Sequence, residues 1–310
     1  MKIYQSTINF STNRKTIITI GTFDGVHLGH QSILKKVVEA KENNTYEASL
    51  LTFFPHPRMV LQQDTSIKLL NTIDEKAELL DKFGIDNLII HPFDAAFSNL
   101  SAEEFVKEIL IDRLNIHKII IGHDHRFGKN RTADISDLIL FGKKYGFEVE
   151  QINAHEIDEI AISSTKIRKA LMEGNIKLAN QFLGYSYFIS GKVIEGKKIG
   201  RTLGFPTANI QINESYKLLP KNGVYIVSSE INDIQYFGMM NIGNNPTLGE
   251  NEQSIEVHYF DMSENIYNKK LKISILEHIR DERKFNSLSD LQAQLEKDKL
   301  FSLNYIQNLK

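Results

Sequence analysis

The sequence GTFDGVHLGH at residues 21–30 decides the fold of the first half of the chain, because it joins a strand pattern to a helix pattern. Residues 16–20, TIITI, are short, β-branched and followed by glycine, which is typical of a buried strand. Residues 31–40 carry apolar side chains at helical spacing. We therefore predict that His27 and His30 lie in the turn and the first helical positions. A helix start offers unpaired backbone N–H groups and partial positive charge, so this turn favours an anion such as phosphate.

The two histidines of this turn are suited to stabilising a pyrophosphate leaving group. Two imidazoles directed at one point can donate hydrogen bonds to phosphate oxygens as negative charge develops there. Spacing alone leaves a second interpretation open, since histidines three residues apart more often serve packing or lie at the surface. The rest of the chain has to decide between the two.

The composition indicates an ordinary globular chain of two domains. Its 310 residues are 41% hydrophobic and 25% charged, which suits two separate cores. The formal charge of -2 gives no basic field, so a nucleic-acid partner is not expected. The absence of cysteine excludes disulfides, thiolate metal sites and cysteine nucleophiles.

Two further features of the sequence favour a cytoplasmic location. No apolar run approaches the roughly 18 residues that a membrane span needs, so no membrane partner is expected. The first residues lack the apolar core of a signal peptide. The oligomeric state stays open.

Strand-like and helix-like stretches alternate up to residue 183, which predicts a parallel sheet covered by helices. The strand patterns are 47–53, 87–93, 118–122 and 147–152, and the helix patterns are 74–83, 102–114 and 136–145. Two further helical patterns, 164–172 and 176–183, close this part. Ligands in such folds bind beyond the carboxyl ends of the strands, where the histidines lie.

From about residue 185 the pattern changes to short β-rich runs separated by glycine, asparagine and proline. These runs are 188–194, 223–229, 234–241, 254–261 and 270–277. They predict a small antiparallel barrel or sandwich, with residues 289–309 packed on it as a terminal helix. We place the domain boundary at 184–186, which divides the chain into 1–184 and 185–310.

Several motifs carry a resemblance to a known family. GTFDGVHLGHQ at 21–31 resembles the HxGH signature of the nucleotidylyltransferase superfamily, in the form found in bacterial bifunctional riboflavin kinase/FAD synthetases. TFFPHP at 52–57, GHDHRFG at 122–128 and ISSTKIR at 162–168 resemble that family's other adenylyltransferase motifs. GKKIGRTLGFPTAN at 196–209 resembles its flavokinase signature. The resemblance spans nearly the whole chain.

The resemblance implies fold, activity and ligands. It implies an α/β architecture with a Rossmann-like nucleotidylyltransferase sheet in 1–184, the FMN adenylyltransferase domain, and a riboflavin kinase barrel in 185–310. The chain would phosphorylate riboflavin to FMN and adenylate FMN to FAD. ATP would serve both steps, and both would need Mg²⁺. A chain that keeps only the kinase activity and a catalytically inactive flavin-binding regulator remain the alternatives.

For the adenylyltransferase, the resemblance places ATP phosphates at His27 and His30. No general base is required, because the flavin phosphate arrives already ionised. Ser164, Thr165 and Arg168 at a helix start would hold the β- and γ-phosphates; by themselves they also fit a capped helix with a solvated arginine. The remaining candidates for nucleotide or flavin binding are Gly21, Phe23, Asp24, Gly29, Asp124 and Arg126.

Three further positions in this half have no settled role. His125 stands where the family usually has an aromatic apolar residue, and Ala133 stands where glycine is common. His56 between two prolines is equally consistent with a rigid turn and with a ligand contact.

For the kinase, riboflavin offers a neutral hydroxyl that must lose a proton as it attacks, so a general base is useful. The resemblance assigns this base to Glu256, which strand alternation alone would turn outward as a surface carboxylate. Thr207 and Asn209 supply neutral oxygens that suit Mg²⁺ held mainly by phosphates and water, although both also fit a proline turn entering a strand. The resemblance implies a nucleotide loop with Gly196, Lys198, Gly200 and Arg201, and a flavin-binding flap with Arg280.

Overall fold

The strand that precedes the two histidines is the buried centre of the first half. TIITI forms β2, Thr16–Ile20, and all of its side chains are buried, as expected for β-branched residues in a strand covered on both faces. The computed structural model describes residues 1–42, 45–62, 66–123, 125–152, 162–196, 199–244 and 253–309. Contacts divide the chain into two units, Met1–Ser164 and Thr165–Lys310.

Six parallel strands form the sheet of the first unit, as predicted. Their order is β1-β4-β3-β2-β5-β6, which places β2 and β5 side by side near its centre. The other strands are β1 Lys2–Tyr4, β3 Glu47–Phe54, β4 Asn87–Pro92, β5 Ile116–Gly122 and β6 Glu148–Ile152. The sequence did not predict β1, because a three-residue edge strand with two exposed side chains shows no period.

Helices cover this sheet. They are α1 Leu28–Glu39, α2 Pro57–Leu61, α3 Ile73–Lys82, α4 Ala95–Ser98, α5 Ala102–Glu104 and α6 Ile135–Tyr145. The segment after α5 continues as a π-helix, Phe105–Ile111, whose buried face packs on β2 and β5 in one core. The predicted helix at 102–114 therefore exists but ends earlier and is wound more loosely.

The second unit contains a closed antiparallel barrel, which confirms the barrel alternative of the prediction. The strand order is β10-β11-β8-β7-β12-β9, and β9 pairs with β10 to close it. The strands are β7 Phe188–Ile194, β8 Ala208–Gln211, β9 Gly223–Ile231, β10 Ile234–Asn244, β11 Gln253–Tyr259 and β12 Lys270–Asp281. The sequence did not predict β8, whose four residues follow a proline turn.

The helices of this unit are α7 Ser164–Met172, which begins at the last residue of the first unit, α8 Ile176–Leu183, α9 Ile199–Thr202 and α10 Leu288–Gln307. The tail packs on the barrel as predicted, because Ile306 of α10 shares a core with Ile226 of β9 and Met239 of β10. Within the described ranges, no helix combines the length and apolar character that a membrane crossing needs.

The helices α7 and α8 form hydrogen bonds with residues of the second unit. The Asn180 side chain donates to the Ile275 carbonyl at 3.0 Å and accepts from the Tyr187 backbone N–H at 2.7 Å. The Lys221 N–H donates to the Leu171 carbonyl at 3.0 Å. The sequence analysis assigned these helices to the first domain; the boundary at 184 remains a prediction about function.

Candidate functional site

The turn after β2 brings the two predicted histidines together. His27 is the N-cap of α1, and its Nδ1 accepts a hydrogen bond from the His30 backbone N–H at 3.4 Å. The two rings stack with their centroids 3.7 Å apart and their planes 17° apart. The Phe23 ring also contacts His30, at a centroid distance of 4.6 Å. The turn thus presents two adjacent imidazoles at the start of a helix.

The backbone of this turn adopts an unusual conformation. Phe23 and Val26 have φ values of 44° and 37°, in the left-handed region that side chains with a Cβ rarely adopt. Each such residue costs about 1–3 kcal/mol, and such costs persist where the surroundings hold the conformation, often at functional sites.

Asp24 supplies part of the surroundings that hold the turn. Its carboxylate is 2% exposed and accepts hydrogen bonds from the backbone N–H groups of Leu70 at 2.9 Å and Asn71 at 3.3 Å. The Ser164 hydroxyl, at the end of the first unit, donates to the Asp24 carbonyl at 2.9 Å. Asp24 therefore fixes the loop before α3 against the histidine turn.

Both histidines of the turn are neutral near pH 7. Burial lowers the pKa of His27 to about 4, although the nearby Asp24 carboxylate opposes this shift. Burial also holds the pKa of His30 well below its usual value, and repulsion from His27 and Lys76 adds to the effect. A neutral imidazole still has one N–H to donate.

Two buried polar groups beside this turn lack protein partners. Within the ranges that the structure covers, His30 Nδ1 and both polar atoms of the Asn71 side chain have no hydrogen-bond partner. Such groups are costly unless something else satisfies them.

Lys76 lies beside this turn and was not predicted from the sequence. It is 4% exposed, and its Nζ donates to the Thr22 carbonyl at 2.6 Å and lies 3.5 Å from Thr52 Oγ1. Burial lowers the pKa of Lys76 to about 8, against the opposing attraction of Asp24. One sequence feature could have revealed it: Lys76 stands three residues after Ile73 and four before Leu80, on the apolar face of α3.

The structure places the other predicted residues of this half as follows. Gly21 approaches the Phe23 ring so closely that a Cβ would lie 3.2 Å from it, and Gly29 is buried in α1. Arg126 is exposed. Thr165 and Arg168 lie on α7, exposed and half-buried respectively. Asp124 lies outside the described residues.

The two departures from the family pattern fit their surroundings. Ala133 is 4% exposed and exchanges backbone hydrogen bonds with Phe127 in both directions, at 3.1 and 3.2 Å. The His125 ring stacks on the same Phe127 at a centroid distance of 6.2 Å and an interplanar angle of 21°. His56 is the N-cap of α2, which supports its structural interpretation.

Aromatic side chains gather where β3 and β4 end, and the sequence analysis did not identify them. The Phe53 ring centroid lies 5.7 Å from that of Phe93 and 5.3 Å from that of Phe97. All three are partly exposed. Apolar rings at the carboxyl ends of parallel strands lie where ligands of such sheets bind.

In the second unit, β8 and β11 bring together the three predicted kinase residues. The Thr207 hydroxyl donates to Glu256 Oε2 at 3.0 Å, and Asn209 is the direct strand partner of Glu256. All three side chains are half-buried. The barrel thus gathers a carboxylate, a hydroxyl and an amide that lie far apart in sequence.

The glycines before β8 let the chain approach these residues. A Cβ on Gly196 would overlap the Asn209 amide, and one on Gly200 would overlap the Phe205 carbonyl. The Phe205 N–H donates to the Gly200 carbonyl at 2.8 Å, which folds the loop back on itself. Arg201 is exposed on α9, and Lys198 lies outside the described residues.

His258 supports the same loop and was not predicted. Its Nδ1 donates to the Pro206 carbonyl at 2.9 Å, and its ring packs edge-on against Phe205 at 5.1 Å. Burial lowers the pKa of His258, so the ring is neutral near pH 7 and Nδ1 carries the proton that this bond requires. His258 lies two residues after Glu256 on β11, and it fixes the residue before Thr207.

Arg280, predicted in the flavin-binding flap, is engaged in an ion pair. Its Nη2 lies 2.8 Å and its Nε 3.0 Å from Asp298 Oδ2, and Nη1 donates to the Asp281 carbonyl at 3.1 Å. The Asp298 carboxylate is 1% exposed on α10. Arg280 therefore ties β12 to the terminal helix, and its contact with flavin remains a prediction.

We expect Asp298→Ala to lower the free energy of unfolding of the second unit by about 3 kcal/mol, because it leaves a largely buried guanidinium without its partner. Denaturant-induced unfolding followed by circular dichroism measures the change. Glu296→Ala removes an exposed carboxylate from the same helix and should shift stability by less than about 0.5 kcal/mol. Equal unfolding midpoints for the two variants would contradict the prediction.

Comparison with known proteins divides the chain into two family matches. The model of the FAD synthetase family matches residues 9–166, and the model of the riboflavin kinase family matches residues 183–306. Two curated relatives are both called bifunctional riboflavin kinase/FMN adenylyltransferase. The one from Buchnera aphidicola (Schizaphis graminum) is 41% identical over 92% of each chain. The one from Bacillus subtilis is 38% identical over 96% of this chain and 94% of its own.

A solved structure also matches the whole chain. It is described as a macrolide-efflux protein from Streptococcus pneumoniae and is 30% identical. The match covers 97% of this chain and 98% of that one, with a TM-score of 0.87. The two chains therefore share both halves of the fold.

Proposed function

The chain belongs to the bifunctional riboflavin kinase/FMN adenylyltransferase family, and from this premise we propose which of its residues carry each activity. It phosphorylates riboflavin to FMN and transfers AMP from ATP to FMN, giving FAD and pyrophosphate. The observation that carries this conclusion is the pair of family matches, one to each half of the chain. As functional domains we propose residues 1–184 for the adenylyltransferase and 185–310 for the kinase.

In the adenylyltransferase, His27 and His30 contact the ATP phosphates. A phosphate oxygen of FMN attacks the α-phosphorus, and the bond to the bridging oxygen of the β-phosphate breaks. The neutral imidazoles donate hydrogen bonds as negative charge builds on the departing pyrophosphate. No proton has to leave the nucleophile, so positioning and charge stabilisation provide the rate enhancement.

Other residues of this half position the two substrates. Ser164, Thr165 and Arg168 hold the β- and γ-phosphates. Gly21 and Gly29 admit the nucleotide beside the backbone. Asp24 acts through the loop that it fixes, and Phe23 acts through its contact with His30.

FMN is held at the same edge of the sheet. Asp124 and Arg126 are the candidates for its phosphate, since a guanidinium pairs well with phosphate oxygens. The partly exposed rings of Phe53, Phe93 and Phe97 at the ends of β3 and β4 offer apolar faces for a planar flavin.

In the kinase, Glu256 accepts the proton of the riboflavin hydroxyl while the hydroxyl oxygen attacks the γ-phosphorus of ATP and ADP leaves. The Thr207 hydroxyl bonded to Oε2 orients this carboxylate. Gly196, Lys198, Gly200 and Arg201 form the loop over the nucleotide phosphates. Arg280 contacts the flavin from the flap.

Mg²⁺ fits the donors around Thr207 and Asn209. The site supplies a hydroxyl and an amide, both neutral oxygen donors of the kind that Mg²⁺ accepts when phosphates and water complete its shell. No cluster of three or more His, Cys, Asp or Glu able to hold a metal occurs in the described ranges. The donor set therefore suits an ion held mainly by ATP phosphates and water. When bound, the ion neutralises negative charge on the phosphates.

The other ligands follow from the two activities. Riboflavin, FMN and ATP are the small-molecule partners, and FAD is the product. We also propose a cytoplasmic location, on the basis of the cysteine-free sequence.

A flavin time course tests the proposed function. Purified protein incubated with riboflavin, ATP and Mg²⁺ should form FMN first and FAD afterwards, as separated by chromatography. FMN alone would leave only the kinase, and tight flavin binding without product would favour the regulatory alternative. Chelation of Mg²⁺ should stop both steps.

A further inference from the structure

The amino group of Lys76 is buried beside the histidine turn, and no carboxylate of the described residues is hydrogen-bonded to it. Its hydrogen bonds go to the Thr22 carbonyl at 2.6 Å and, more weakly, to Thr52 Oγ1 at 3.5 Å. Burying an ammonium group costs several kcal/mol unless a charged partner compensates it. A neutral side chain would fill this place in the fold more cheaply, so the charge needs another explanation.

Charged and titratable groups face Lys76 from the turn and from α1. Asp24 attracts the ammonium group, but its carboxylate already accepts hydrogen bonds from the backbone of Leu70 and Asn71. His30 lies close enough for Lys76 to lower its pKa. From β3 the neighbour is the neutral Thr52. Lys76 is thus a cation close to the neutral imidazole of His30, which stacks on that of His27.

Lys76 also holds the backbone that positions those imidazoles. Thr22 precedes Phe23, which stands in the left-handed region and contacts the His30 ring. Thr52 Oγ1 donates to the same Thr22 carbonyl at 3.3 Å. Lys76 and β3 therefore both hold this peptide of the turn by hydrogen bonds. A structural change at Lys76 Nζ is therefore transmitted to the His30 ring through Thr22 and Phe23.

We propose that Lys76 is a positioning residue of the adenylyltransferase site, whose buried ammonium group fixes the turn at Thr22 and provides the positive charge that draws the ATP phosphates to His27 and His30. The proposal rests on the proposed role of these histidines. Polyphosphate binding supplies further negative charge, in addition to that of Asp24. A cation in a low-dielectric site attracts such an anion more strongly than one in water.

A lowered pKa makes the proposal testable by pH. Lys76 is charged below about pH 8 and neutral above it, so the attraction for ATP falls as pH rises through this value. The phosphates of both substrates stay ionised over that range, because the second pKa of a phosphate monoester is about 6. The KM for ATP in FMN adenylylation should therefore rise at least about threefold between pH 7 and 9 in the unaltered protein.

Three variants separate charge from packing. Lys76→Met should raise the KM for ATP in FMN adenylylation about tenfold or more at pH 7, with a smaller change in kcat, and remove its dependence on pH between 7 and 9. Lys76→Arg keeps a charge that does not titrate, so its KM should stay low at pH 9. Lys82→Met is the matched control on α3, where Lys82 is exposed and pairs with Glu78 in the preceding turn.

The outcomes are distinct. A KM for Lys76→Met equal to that of Lys82→Met, or a fall in kcat alone with the KM and its pH dependence intact, would overturn the proposal. If Lys76→Met does not fold, Lys76→Arg decides: an alkaline rise in KM like that of the unaltered protein would overturn it. Failure of the unaltered protein to make FAD would instead reject the function itself, and riboflavin phosphorylation by each variant reports on the intact second unit.

Discussion

Replacing Glu256 by glutamine should lower the rate of FMN formation by about 100-fold or more while FMN supplied from outside is still converted to FAD. The riboflavin hydroxyl is neutral, and an amide cannot accept its proton in the way a carboxylate does; general base catalysis contributes about 10²–10⁴-fold. Glutamine keeps the size of the side chain. Its amide oxygen can still accept the hydrogen bond that the Thr207 hydroxyl donates to Glu256 Oε2 at 3.0 Å. Initial rates of FMN and FAD formation, each measured by chromatography, check both halves of the expectation.

A matched control keeps this experiment specific to the site. Glu230→Gln changes an exposed glutamate on β9 of the same barrel and should leave both rates unchanged. An unchanged rate of FMN formation in Glu256→Gln would remove the base assignment. Parallel loss in both variants would point to a general effect of charge on the barrel.

Local features of the sequence were enough to predict where His27 and His30 lie in the turn after β2. The switch from the β-branched run of β2 to the helical spacing of α1 occurs within a few residues, so the placement of His27 and His30 needed no long-range information. The effects of burial on these side chains could not be predicted without long-range information. Neutral histidines and a buried Lys76 follow from α3 packing against the turn, which a period along one helix cannot show.

The kinase residues depended on the resemblance, because their meeting is a property of the closed barrel. Strand alternation treats Glu256 as an outward residue, and only β8 brings Thr207 and Asn209 beside it. This strand has four residues after a proline turn, too short to show a period of its own. The ion pair of Arg280 with Asp298 is equally long-range, since it joins β12 to α10.

The two proposed mechanisms place opposite demands on protons. The turn of His27 and His30 holds neutral imidazoles beside a buried ammonium group, and the nucleophile proposed for it, a flavin phosphate, arrives ionised. The barrel places a half-buried carboxylate beside a hydroxyl, as a neutral nucleophile requires. A change in either set should therefore affect one product and spare the other.

Replacing His27 by asparagine should stop the reaction at FMN, with the rate of FAD formation reduced by about 100-fold or more. Loss of one hydrogen-bond donor at a site of developing negative charge costs about 10²–10³-fold in rate. Asparagine is a good N-cap and can accept from the His30 N–H as His27 Nδ1 does, so α1 should keep its start. A time course from riboflavin should show FMN accumulating at the unaltered rate without the later appearance of FAD.

The control for His27→Asn is His117→Asn, because His117 is another histidine stacked on a ring, here Tyr46 at a centroid distance of 4.1 Å. It lies at the amino end of β5, whereas the histidine turn follows the carboxyl end of β2. Ligands bind at the carboxyl ends in such sheets, so His117→Asn should leave FAD formation unchanged. FAD formation at the unaltered rate in His27→Asn would exclude this imidazole from the chemistry, whereas equal losses in both variants would trace the effect to the stability of the sheet.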